Sequence, residues 1–104
     1  MVFQVAETMP EFPEGEKAIF EYIGSNLNYP EAAKKVGLQG RIFLGFVIEK
    51  DGQISNVEIL RGIGRGCDEE AVRVIKSMPK WASGKQRWKA VRVAFRLPIK
   101  FALN

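Results

Sequence analysis

Two periods of apolar recurrence divide this chain into elements. From Glu16 onward, Ala18, Ile19, Tyr22, Ile23 and Leu27 return at helical spacing and predict one amphipathic helix with a single buried stripe. Pro30 in a first turn, Ala32, Ala33 and Val36 on one side and Gly37 just beyond predict a second, short helix. The stretch QGRIFLGFVIEKDGQISNVEILRG then changes to a period of two, and Asp51-Gly52 separates two β-branched, aromatic-rich runs, which predicts a hairpin. In its first strand Ile42, Leu44, Phe46 and Ile48 share a face. In its second, Val57 and Ile59 are in phase but Ile54 is not, so a bulge is expected near Ser55 and Asn56.

The glycine-rich GIGRG leads into CDEEAVRVIKSMPKW, where Ala71, Val72, Ile75 and Met78 supply the stripe of a third helix and Pro79 ends it. After the turn ASGKQR the chain alternates again, with Val91, Val93, Phe95 and Leu97 on one side and Arg92, Ala94 and Arg96 on the other. Pro98 has no N–H for a ladder, so this last strand is expected at a sheet edge, near where pairing stops. Residues 1–15, with two prolines and a glycine among acidic residues, read as an extended lead-in to a domain spanning 16–104. The order helix, short helix, hairpin, helix, strand predicts an α+β fold: a three-stranded antiparallel sheet, helices packed on one face, and the C-terminal strand at an edge.

Composition narrows the chemistry. The 104 residues contain no histidine, which removes the usual general base near neutral pH and the commonest metal ligand. Cys67, the single cysteine, has neither a histidine nor a second thiol to work with, so packing is its expected role. Asp68, Glu69 and Glu70 complement a helix N-terminus without needing an ion. GIGRG lacks the Lys-Ser/Thr of a phosphate-binding loop. Neither an enzyme nor a cofactor is expected. The longest apolar stretch, Ile42 to Ile48, is too short for a membrane helix, and no signal-peptide pattern is present, so any anchor is expected upstream of these residues.

Sixteen Lys and Arg against twelve Asp and Glu give a net charge of +4, spread along the chain. The local cluster Lys85, Arg87, Lys89, Arg92 and Arg96 around Trp88 is the basis of the alternative reading, a basic domain that binds single-stranded nucleic acid. No nucleic-acid motif accompanies it, and edge strands carry Lys and Arg to discourage aggregation.

The combination of NLNYPEAA, QGRIFLGFVIEKDG, DEEAVRVIKSMPKW and VRVAFRLPIKF resembles the TonB C-terminal domain family in its Bacteroidetes form. The resemblance implies a periplasmic energy-transducer domain, joined by an upstream anchor to an inner-membrane proton-driven complex. It also implies that a short extended segment of an outer-membrane TonB-dependent transporter adds as a strand to the last strand of the domain. By position, Arg92, Val93, Ala94, Phe95 and Arg96 would bind that partner. Asn26, Asn28 and Tyr29, at the family's QPQYP-like position, would assist, although Tyr29 and Pro30 equally suit helix initiation and core packing. The chain departs from the family pattern at Ala82-Ser83-Gly84 and at Trp88-Lys89-Ala90, where a glycine and prolines are usual. Trp88 is therefore expected to be exposed and to serve a contact with another chain, which includes self-association through the edge strand.

Overall fold

A computed structural model describes residues 1–103. Eight elements follow in order: β1 (Val2–Phe3), α1 (Glu16–Asn26), α2 (Glu31–Lys35), β2 (Gly40–Ile48), β3 (Ile54–Arg61), α3 (Cys67–Lys76), β4 (Gly84–Gln86) and β5 (Lys89–Phe101). The sheet runs β1-β5-β2-β3, and β4 pairs with the start of β5. The α+β class and the packing of helices on the sheet are as the sequence predicts, but five strands replace the expected three. The two extra strands are too short, at two and three residues, to carry a periodic signal.

The hairpin closes where Asp51-Gly52 predicts, through a loop in which the N–H of Glu49 donates to Gln53 at 2.8 Å and that of Gly52 to Glu49 at 2.9 Å. Gly52 has φ +87, and a Cβ there would lie 1.9 Å from the carbonyl oxygen of Trp81, so both conformation and contact require glycine. The expected bulge is present. Gly45 faces Glu58 and Val47 faces Ser55, so β3 spends one residue more than β2, and Asn56 takes φ 50. A second register shift lies between Phe43 and Leu44.

Ile42, Leu44, Phe46 and Ile48 are buried on the helix-covered face, together with Val93, Leu97, Ile99 and Phe101 of β5. From α1 come Ile19 and Ile23; from α3 come Cys67, Ala71, Val74 and Ile75. Val72 and Met78, expected in that last stripe, are only partly buried. In α2 only Ala33 goes inside, while Ala32 and Val36 face solvent, because five residues offer a single inward position. Trp81 sits just after α3 and packs edge-on against Phe12, Phe46 and Phe95 with ring centroids 5.3, 5.9 and 5.0 Å away. This aromatic plug ties the lead-in, the central strand and β5 into one core.

The last strand is longer than its alternation predicts. Its ladder with β2 continues through Pro98, opposite Phe43, to Phe101 opposite Gly40. Pro98 thus does not end the pairing. Antiparallel neighbours alternate between bonded and non-bonded pairs, and an imino nitrogen fits only the latter. The odd residues of β5 therefore bond to β2, and the even ones turn their backbone groups to the opposite edge.

Candidate strand-addition edge

The sheet leaves two edges open among the described residues, that of β3 and the outer edge of β5 beyond β1. On the inner edge of β5, β2 spans Val93–Phe101 and β4 spans Lys89–Val91. On the other side β1 pairs in parallel, Val2 with Arg92 and Phe3 with Val93. Beyond Val93, no strand among the described residues pairs with that side. Edge strands normally discourage such pairing with charges and proline, and here Arg96, Pro98 and Lys100 are exposed in alternation. The N–H groups of Ala94 and Arg96 share the edge of the missing Pro98 donor, with a side-chain face made of Ala94, Arg96, Pro98 and Lys100.

Several residues singled out in the sequence have other engagements. The guanidinium of Arg92 donates to both carboxylate oxygens of Glu49, at 2.8 and 3.1 Å, across the end of the β2–β5 ladder. Glu49 also accepts from the Ser55 hydroxyl. Hydrogen bonds from Arg92 first, and from Ser55 next, hold the Glu49 carboxyl below the usual carboxylate range. Val93 is fully buried, and Phe95 lies partly buried against Trp81 and Phe46. Their side chains serve the core, and only their backbones lie along the edge strand.

Asn26, Asn28 and Tyr29 form a separate group. The Asn26 carbonyl accepts from Arg73 at 2.7 Å, and the Asn28 N–H donates to Glu70 at 2.6 Å. Glu70 and Arg73 are themselves paired at 2.7 Å, so α3 holds this segment through one ion pair, and the Arg73 bond keeps the Glu70 carboxyl low. Tyr29 donates to the Leu38 carbonyl and packs edge-on to Phe101 at 5.4 Å. Pro30 sits at the start of α2 with extended backbone. This is the helix-initiation and packing arrangement, at the C-terminal end of β5.

Trp88 lies at the opposite end of β5, about 40 Å away along a strand of this length. It is 97% exposed. With Arg87 it forms the two-residue β4–β5 turn, in which both residues have positive φ, 51 and 69. Asn-Gly is the usual solution there, so an Arg-Trp turn is strained. Lys85, Arg87 and Lys89 adjoin Trp88, while Arg92 is drawn off into an ion pair with Glu49; the Glu7 carboxylate accepts from the backbone N–H of Arg87 at 2.6 Å and so places a negative charge at the turn. A groove of about 610 Å³ lies between the lead-in and β4, lined by Glu7, Thr8, Met9, Glu11, Ala82 and Lys85 among others.

Asp68 holds the GIGRG loop by accepting from the N–H groups of Ile63 and Gly64 at 2.9 and 3.1 Å, a role that sequence position alone does not disclose. Burial pushes the Cys67 thiol up, and Asp68 and Glu69 reinforce that direction, which is opposite to the activation a nucleophile needs. Among the described residues no group of His, Cys, Asp or Glu could hold a metal ion, and no helix is long and apolar enough to cross a membrane.

Sequence reading missed β1. Two apolar residues ahead of a polar one give no period, and only the completed edge of β5 reveals a partner for them.

The family of Gram-negative bacterial TonB protein C-terminal domains matches residues 25–103. The chain belongs to that family, a group of non-enzymatic energy-transducer domains. Its fold is similar to two solution structures of the Helicobacter pylori TonB C-terminal domain, each 23% identical over 83% of this chain, with TM-scores of 0.64 and 0.63 and 78% and 90% of those chains covered. The Pseudomonas aeruginosa TonB C-terminal domain aligns over 74% of this chain and 80% of its own at 21% identity and TM-score 0.50. No curated protein sequence matches the chain.

Proposed function

We propose that this is the periplasmic domain of an inner-membrane-anchored energy transducer, and that it captures an extended segment of an outer-membrane TonB-dependent transporter as an added strand on the outer edge of β5. The observation that supports this reading is an outer backbone edge of β5 that is covered only by the two residues of β1 and is unpaired beyond Val93, on a strand whose other edge is held by β4 and β2. Main-chain bonds supply the grip in such a complex, and alternate side chains supply selectivity. Force from the upstream anchor would enter through the lead-in, which is bonded to the β4 segment at Thr8–Lys85 and Glu11–Ala82, and would reach the captured strand through β5, which the long ladder with β2 holds in place. Bonds loaded together in shear resist such a pull better than bonds broken one at a time. Arg92, Ala94 and Arg96 contribute outward backbone groups, and Val93 and Phe95, whose backbones bond to β2, hold them in register. Trp88, and the segment with Asn26, Asn28 and Tyr29, flank the two ends of the strand. Self-association through the same edge, with Trp88 in the contact, would compete with capture.

The test is a titration at two salt concentrations with short synthetic peptides tiling the periplasmic segments of a transporter, run beside a single-stranded oligonucleotide. Strand addition predicts saturable peptide binding with little salt dependence. Oligonucleotide binding that falls log-linearly with salt, with no peptide binding, would refute it.

A further inference from the structure

The outer edge of β5 is divided unequally between its two halves. Pro98 offers no N–H, so from Arg96 onward the only outward donors are those of Arg96 and Lys100, with a gap between them. The uninterrupted run of outward donors is Ala90, Arg92, Ala94 and Arg96. The middle of that run is where β1 lies, since Val2 faces Arg92 and Phe3 faces Val93. In a parallel ladder the backbone groups of one residue reach the two residues flanking its partner, so Phe3 addresses Arg92 and Ala94. The half of the edge best suited to a partner is thus occupied by this chain.

We infer that β1 is a placeholder strand, which protects the donor-rich half of the β5 edge and is displaced when a partner strand is captured. This rests on the strand-addition reading above. Three features suit it to that task. It is only two residues long and its side chains are just partly buried, so the seal is weak. Val5, two residues after it, is 75% exposed, so the chain leaves the strand without a further buried contact until Ala6. The lead-in is nonetheless pinned farther along: Thr8 and Lys85 exchange backbone bonds at 3.0 and 2.8 Å, as do Glu11 and Ala82 at 3.0 and 2.8 Å, and Phe12 is buried beside Trp81. A released β1 would remain tethered beside the edge and return when the partner leaves. An edge that covers itself is also a defence against pairing with a second copy.

Phe3→Pro tests this, because it removes the Phe3 donor and cannot disturb the β2–β5 ladder. Hydrogen exchange is the first readout: the Arg92 and Ala94 amides should exchange faster in Phe3→Pro than in the parent, while Val93 and Leu97 stay protected in both. Affinity for the transporter-segment peptides is the second, and it should rise by roughly tenfold, the equivalent of about 1.4 kcal/mol of released competition. Faster exchange with unchanged or weaker peptide binding would overturn the placeholder while leaving strand addition intact. Arg92 and Ala94 amides that already exchange as fast as Arg96 in the parent would overturn it as well. If neither protein bound any peptide, the strand-addition reading would fall, and the placeholder with it.

Discussion

Proline substitution at two adjacent positions of β5 should have very different consequences, because the backbone of Val93 faces β2 and that of Ala94 faces the outer edge. Val93 is opposite Ile48 at the end of the central ladder, and its side chain is fully buried. Val93→Ala removes two methyl groups from a packed site and should cost about 2 kcal/mol. Val93→Pro adds the loss of one ladder bond, about 1 kcal/mol, and leaves a buried carbonyl of β2 without its donor, a further cost of about 1–3 kcal/mol. The proline should therefore be less stable than Val93→Ala by about 3 kcal/mol. Whole domains are stable by only about 5–15 kcal/mol, so Val93→Pro should be close to unfolded. Ala94→Pro removes one donor toward Phe3 and narrows φ, which should cost about 1–2 kcal/mol. In a domain of about 100 residues that is a fall in Tm of about 4–16 °C. Thermal unfolding followed by far-ultraviolet circular dichroism measures all three variants. Equal destabilisation by Ala94→Pro and Val93→Pro, the first set against the parent and the second against Val93→Ala, would refute the assignment of outward and inward registers.

Other expectations follow from individual contacts. Arg92 holds the Glu49 carboxyl below its usual range, so the pair stabilises the fold at neutral pH, and that contribution disappears as pH falls through the depressed Glu49 value; Tm against pH should show parent and Glu49→Gln separated near pH 7 and converging in acid. Their side chains are 32% and 27% exposed, so the separation should be modest and should shrink in high salt. Cys67 is fully buried with its thiol pushed up, so alkylation of the native protein near pH 8 should be slow against a free thiol, and Cys67→Ala should cost about 1 kcal/mol without loss of peptide binding. Trp88→Gly should raise Tm by relieving a positive φ, by about 1 kcal/mol in stability, and should reduce any self-association seen by sedimentation; identical sedimentation of both proteins at high concentration would remove Trp88 from such a contact.

The sequence discloses those parts of the fold that repeat. Ile42, Leu44, Phe46 and Ile48 announce the buried face of β2, and the phase slip at Ile54 announces a bulge that the structure realises at Asn56. Trp81 after α3 is buried, but the aromatic neighbours that make it a plug come from three separate segments. Pro98 points to a strand with one open edge, and β5 has one beyond Val93, but β1 covers the start of that edge and the strand runs on past the proline. A proline reads as a stop when the direction of its missing donor is unknown, and the register with Phe43 is what turns it outward. The engagements of Arg92 with Glu49 and of Asn28 with Glu70 span 43 and 42 residues, and no local pattern encodes pairings that the closing of the sheet creates. The placement of β1 is illegible for the same reason. Val2 and Phe3 acquire a role only once β5 offers an edge to them.

The most direct test of strand capture is the amide spectrum of isotope-labelled protein during titration with the transporter-segment peptides. Strand addition on β5 predicts that the largest shifts fall on Arg92, Ala94 and Arg96 and that these amides become protected from exchange, with Val2 and Phe3 moving as β1 departs. Saturating shifts confined to Lys85, Arg87, Trp88 and Lys89, or to the loop from Gly62 to Gly66, with the amides of Ala94 and Arg96 unmoved, would contradict it.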